Sequence, residues 1–250
     1  MKIVWQVAPE DVAKVTAFIE QHQGSPFVKD RIASNLRENK PPVTMEYFWH
    51  VMVGCVLTTQ QRSGPESSVV RFLQVKPFPL EYAVCLQQKD LADYTQASLA
   101  SFGGLRRAVT IGKEVAANLQ FLEEGGWDQT FEHLDCVRVN SQPETERRAA
   151  EFIDAKFVGF GPKQSRNLLQ WLGLSRYEIP IDSRITKWLN AFGFPVTLSA
   201  TALSDANYYE FVSDGVQQLC EACKIMPCVL DAVIFSSYDQ GKWTEENLAY

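Results

Sequence analysis

Apolar residues recur at three- and four-residue spacing through most of the chain, and nowhere do they alternate over a useful length. That period predicts helices over 9–22, with Val12, Val15, Phe18 and Ile19 on one face, and over 45–57, which is apolar on every side and reads as fully buried. Further helices are predicted over 67–73, 90–102, 105–122, 127–139, 143–157, 183–192, 204–225 and 229–238. Ser25, Thr44 and Asp182 stand where N-caps belong, and Lys40-Pro41-Pro42, Gly103-Gly104 and Gly125-Gly126 stand where helices stop. The expected fold class is therefore all-α.

Residues 157–190 break this monotony. Gly159 and Gly161 flank Phe160, so backbone there can approach a partner closely. Pro162 suits a first helical position, and the amides after it point outward with the positive end of a helix dipole behind them, an arrangement that binds phosphate. Lys163 sits in that first turn, where the dipole disfavours a cation and so favours a neutral, nucleophilic amine. Asp182 follows nineteen positions later, after Ile179-Pro180-Ile181, and opens the next helix. Taken singly, Lys163 reads equally as a surface phosphate ligand and Asp182 as an N-cap.

The order of these features resembles the signature of the helix-hairpin-helix DNA glycosylases: hairpin, Gly-x-Gly-x-Lys, helix, Gly/Pro loop and aspartate, carried here by Gly159, Gly161, Lys163, Gly173, Pro180 and Asp182. The Lys-to-Asp spacing equals that of the 8-oxoguanine branch, and the compact microbial 8-oxoguanine glycosylase/AP lyases are the nearest resemblance. It spans roughly 45–238 and is strongest at 158–185. It implies two helical subdomains, 1–57 with 183–250 and 58–182, with the hairpin motif (about 143–174) at the cleft between them. It also implies Lys163 as nucleophile, Asp182 as its carboxylate partner, and a DNA contact at Gly159, Gly161, Arg166 and Arg184. Gln60, or alternatively Gln61, would wedge into the duplex beside a flipped base. Phe160, Asn167, Phe235, Tyr238 and Trp243 are base-pocket candidates by position. The partner implied is double-stranded DNA with a damaged base, met by a monomer. The alternatives are an oxidised-pyrimidine glycosylase and a non-catalytic hairpin protein that binds DNA.

Composition tempers this picture. The net charge of −6 is unlike the usual basic footprint of a nucleic-acid binder, so a local stripe would have to come from Arg106, Arg107, Arg147, Arg148, Lys163, Arg166, Arg184 and Lys187. Cys220, Cys223 and Cys228 form C-x2-C-x4-C, one ligand short of a zinc site or an iron–sulfur cluster, and read better as reduced core thiols. No cofactor is expected beyond a monovalent cation at the hairpin, which the resemblance allows. His22, His50 and His133 have no ligand partner at helical spacing. No export signal or membrane-spanning run is evident, and a cytoplasmic, nucleoid-associated protein of a bacterium or archaeon is expected.

Overall fold

The computed structural model describes residues 4–239 and 242–248. Among these residues there are thirteen α-helices and no strand: α1 (Pro9–His22), α2 (Pro26–Asn35), α3 (Met45–Thr58), α4 (Ser68–Leu73), α5 (Tyr82–Cys85), α6 (Leu91–Phe102), α7 (Ala108–Phe121), α8 (Trp127–Val139), α9 (Pro143–Lys156), α10 (Pro162–Trp171), α11 (Ser183–Phe192), α12 (Ala206–Ala222) and α13 (Pro227–Ser237). None is long and apolar enough to cross a membrane.

Local chemistry sets many of the helix starts. The side chains of Thr44, Ser67, Asp90 and Asp205 each accept from the amide three residues on, satisfying one of the donors that a helix start leaves open. Ser25 precedes α2 without capping it, and its hydroxyl instead accepts from Ser236 Oγ at 2.7 Å. Gly125, at φ +100°, turns the chain between α7 and α8 through a π-helical turn, Leu122–Gly126.

Buried side chains fall into two cores. The first gathers Phe48 and Met52 of α3, Phe72 of α4, Leu99 of α6, Ile111 of α7, Ile153 of α9 and Leu168 of α10. The second gathers Val15 of α1, Phe27 of α2, Ile185 of α11, Tyr209 of α12 and Ile234 of α13. Helix α3, which ends at Thr58, contributes to the first of these. Every residue of α3 from Phe48 to Thr58 except His50 is buried, and its apolar side chains pack with α4–α10 rather than with the chain termini. At about 1.5–3 kcal/mol for each large side chain removed from water, that packing governs where α3 belongs.

The two cores are joined through α10 and the residues after it. Gly54 of α3 lies under Trp171, where a Cβ would come within 2.8 Å of the indole. From the other side, α2 reaches across: Arg31 Nη1 and Asn35 Nδ2 both donate to Gln170 O, at 3.0 and 3.1 Å. Just past α2, Lys40 Nζ donates to Leu174 O at 2.8 Å. Gln170 O also accepts from Gly173 N at 3.1 Å and Leu174 lies three residues past α10, so these donors tie α2 and the segment after it to the turn that ends α10.

A buried carboxylate then shapes the residues leading to Asp182. Glu146, on α9 and fully buried, accepts from three successive backbone amides: Arg176 N at 2.8 Å, Tyr177 N at 2.8 Å and Glu178 N at 2.9 Å. Ser141 and Ser175 donate to it as well. Burial raises its pKa, while the hydrogen bonds from 176–178 and Ser141 pull it back down. Beside it, fully buried Glu178 takes Arg166 at 2.5 Å and Arg147 at 2.8 Å.

Candidate active site

The turn over residues 157–161 connects α9 to α10. Gly159 has φ +85°, a region open to glycine and strained for other residues, and a Cβ there would lie 2.7 Å from Glu114 Cδ. Gly161 is different. Its backbone is extended, and a Cβ would meet nothing within 4 Å among the described residues, so none of these neighbours demands a glycine there. Asn118, fully buried on α7, clamps the turn: its Oδ1 accepts from Val158 N at 2.7 Å and its Nδ2 donates to Val158 O at 3.0 Å. Phe160 N donates to Phe157 O. The oxygens of 157 and 158 each carry one hydrogen bond within this arrangement, which leaves each a second lone pair.

Lys163 lies in the first turn of α10, partly buried, and its Nζ donates to Gln164 Oε1 at 2.8 Å. Its pKa is lowered. Burial is the main cause, Arg184 adds to it, and Asp182, Cys55 and Asp231 act against it. The position at a helix start, where the dipole disfavours a cation, acts in the same direction. Asp182 is the N-cap of α11, and its Oδ1 accepts from Arg184 N at 2.7 Å and Ile185 N at 3.0 Å. Oδ2 makes no hydrogen bond among the described residues. The backbone before it is pinned by Tyr209 of α12, whose hydroxyl accepts from Ile181 N at 2.6 Å and donates to Ile179 O at 2.8 Å.

Lys163 and Asp182 line one narrow pocket. Asn167, Gln170 and Trp171 of α10 form one wall, and Phe27 and Arg31 of α2 with Asp231 and Phe235 of α13 form the other. Thr58 and Ser63, at and beyond the end of α3, also line it. The pocket holds about 30 Å³ of solvent space, room for a water or two. Asp231 is buried, and its pKa is raised to about 7. Burial is the leading cause and the Asp182 charge adds to it, with Arg31 opposing. Gln170 Nε2 lies near enough to Asp231 to hold that pKa down, yet it is buried without a well-formed hydrogen bond. Cys55 abuts Lys163 as a neutral thiol, pushed up to about 12 by burial, and accepts from Asn167 Nδ2 at 3.3 Å.

Searches by sequence find no matching family model and no significant match among curated proteins. Structural comparison does find matches. The 8-oxoguanine DNA glycosylase of Thermotoga maritima superposes with a TM-score of 0.65 at 16% identity, over 93% of this chain and 97% of its own. The Methanocaldococcus jannaschii 8-oxoguanine glycosylase/lyase, crystallised with a 15mer DNA containing 8-oxoguanine, gives 0.65 at 16% identity, over 89% and 95%. A second structure of the Methanocaldococcus jannaschii 8-oxoguanine DNA glycosylase gives 0.62 at 18% identity, over 95% and 98%. The chain has the fold of the 8-oxoguanine DNA glycosylases.

Within this glycosylase fold the remaining expected residues divide. Asn167 and Phe235 line the pocket with Lys163 and Asp182. Phe160 instead packs beside the first core, against Phe157. Trp243 is buried behind the pocket wall, 4.6 Å from the Phe27 ring, and Tyr238 is largely exposed. Gln60 is exposed at φ +57°, a strained conformation for a residue with a side chain. Gln61 is tied down, donating to Leu57 O at 2.7 Å and accepting from Arg106 N at 2.6 Å.

Few of the basic residues are free. Arg166, buried on α10, pairs with Glu178 and stacks 4.5 Å from the Tyr209 ring. Arg184 packs 3.9 Å from the Phe235 ring and pairs with Asp239 at 3.6 Å, with a buried Nη1 left unsatisfied. Arg107 pairs with Glu114, and Arg147 with Glu178 and Asp214. Arg106, Arg148 and Lys187 are exposed. Cys220 is buried in the second core with Cys223 beside it, Cys228 is buried on α13, and among the described residues no three His, Cys, Asp or Glu side chains are placed to hold a metal. Sequence reasoning missed Asp231, Arg31, Gln164 and Asn118. For Asp231 a signal existed, a lone carboxylate in the otherwise apolar run over 229–235.

Proposed function

We propose that this protein is a bifunctional DNA glycosylase and AP lyase of base excision repair that removes oxidised guanine from double-stranded DNA. The observation that carries the reading is a buried amine of lowered pKa, Lys163, sharing one pocket with the Asp182 carboxylate. The glycosylase fold supports it, as do two buried donors without hydrogen-bond partners among the described residues, Gln170 Nε2 in the pocket wall and Arg184 Nη1 beside the pocket's Phe235.

In this reading the turn over 157–161 and the first amides of α10 grip a DNA phosphate, and the bare Gly161 lets the backbone approach. Exposed Gln60 fills the space left by the extruded nucleotide. A purine is far larger than the pocket's present solvent space, so the base enters as wall side chains turn aside. The Lys163 lone pair attacks the sugar C1′, and the C1′–N bond breaks with its electron pair leaving on the base, which takes up a proton. Asp182 stabilises the positive charge that develops on the sugar and accepts the amine's proton. Opening of the C1′–O4′ bond gives a Schiff base between Lys163 and C1′. Loss of a C2′ proton then expels the 3′-phosphate and cuts the strand.

Borohydride trapping on a duplex with 8-oxoguanine opposite cytosine tests this. A covalent adduct is expected with wild type and with neither Lys163→Gln nor Asp182→Asn. An adduct that persists in Lys163→Gln refutes the nucleophile. Reaction only with oxidised pyrimidines refutes the substrate, and silence on every damaged duplex leaves a DNA-binding protein.

A further inference from the structure

Gln164 is buried at the third position of α10, and its carboxamide is engaged at both ends. Nε2 donates to Cys55 O, to Thr58 Oγ1 at 3.2 Å and to Thr59 Oγ1 at 2.8 Å, all at the end of α3. A backbone carbonyl only accepts, so the Cys55 contact fixes which end of the amide faces α3. Oε1 is thereby turned toward Lys163, and it accepts from Nζ at 2.8 Å. The next residue after Thr59 is the strained, exposed Gln60.

We infer that Gln164 is a positioning residue that holds one N–H of the Lys163 amine, directs its lone pair into the pocket, and ties it to the end of α3. The inference rests on Lys163 being the nucleophile. An amine on a flexible four-carbon stem samples many orientations, and a fixed acceptor removes most of them. A neutral acceptor also matters. The groups that act electrostatically on Lys163 are Asp182 and Arg184 at the start of α11, Asp231 of α13 and the thiol of Cys55 on α3, and Arg31 of α2 lines the same pocket. Gln164 adds a partner for the amine without adding a negative charge, which would keep the amine protonated.

The test uses a duplex carrying a preformed abasic site, so that it is independent of the damaged base. The sugar aldehyde and the amine condense with loss of water, and borohydride traps the imine under single turnover across about pH 5 to 10, a span that lies below the ordinary lysine value of about 10.4. Gln164→Glu keeps the acceptor and adds charge, and the acid limb of the rate profile is expected to move up by about one unit or more. Gln164→Met keeps the volume and removes the contacts. Its limb is expected to stay in place, with trapping about tenfold slower or worse and duplex affinity unchanged. A residue that merely packs would leave the limb where it was. Wild-type trapping by Gln164→Met overturns the inference, as does an unmoved limb in Gln164→Glu; should that variant fail to fold, Gln164→Met decides. Lys163→Gln runs beside them. If it still forms the adduct, the nucleophile reading falls and this inference with it; if it does not while both Gln164 variants match wild type, the inference alone falls.

Discussion

Replacing Glu146 with alanine removes a carboxylate that organises the chain on its way to Asp182. Three backbone amides, at 176, 177 and 178, lose their acceptor together, along with the hydroxyls of Ser141 and Ser175. A buried donor left unsatisfied costs about 1–3 kcal/mol, so three amides set a gross loss of at least about 3 kcal/mol. Two effects offset it: the cavity is polar enough to admit water, and the cost of burying the carboxylate disappears. The net expectation is about 2–4 kcal/mol, which for a chain of this size lowers Tm by roughly 5–15 °C. Thermal and urea melts of Glu146→Ala measure it. Glu144→Ala, an exposed acid on the same helix, is the control and should cost less than about 1 kcal/mol. A Glu146→Ala variant within about 1 kcal/mol of wild type would refute the reasoning, because it would mean that the three amides find partners without the carboxylate.

Tyr209→Phe keeps the ring under Arg166 and removes the hydroxyl that holds Ile179 and Ile181. A loss of about 1–3 kcal/mol in urea melts is expected, with slower borohydride trapping and unchanged DNA affinity; an unaltered trapping rate would sever Tyr209 from Asp182. Asp231 has its folded pKa raised to about 7, above its unfolded value, so the folded state keeps a proton that the unfolded state has lost. Its contribution is therefore full at low pH and is lost as pH rises through about 7. Over that rise Asp231→Asn should gain on wild type by a few kcal/mol, at most about 4, in urea melts across the range; parallel stability profiles would show that the acid is ionised throughout.

Many of the helix starts were legible because caps and turn formers announce them within a few residues. Thr44 and Asp182 are local signals and needed no knowledge of the fold. The short α5 escaped because one turn of helix has no period to detect. The packing partners of α3 were not legible for a related reason: a helix apolar on every side says that it is buried but not against what. Arg166 illustrates the same limit in charge. One turn from Lys163 it reads as a DNA ligand, while its actual partner, Glu178, lies across a loop and faces α12. The roles of Gln164 and Asn118 depend on α3 and α7 being brought beside α10, and no spacing within a segment encodes that.

The local costs in this chain are unevenly distributed, and the distribution argues for where the function lies. Four buried side-chain atoms go without a hydrogen-bond partner among the described residues, and two of them, Gln170 Nε2 and Arg184 Nη1, are at or beside the pocket. The others, Thr95 Oγ1 and Glu114 Oε2, lie away from it on α6 and α7. The same small volume holds a lysine that burial drives toward neutrality and an aspartate that burial drives toward protonation, each of which would be more stable in water. Gln60, two residues past the pocket's Thr58, adds backbone strain. Packing does not require any of these, since Leu, Met or Gly at such positions would remove the cost. The supporting shell is built the opposite way: Glu146, Tyr209 and Asn118 have their polar groups matched to backbone donors and acceptors on the segments that carry the pocket residues. Three satisfied supports around a centre that carries unsatisfied groups are the division expected when the centre is completed by a ligand.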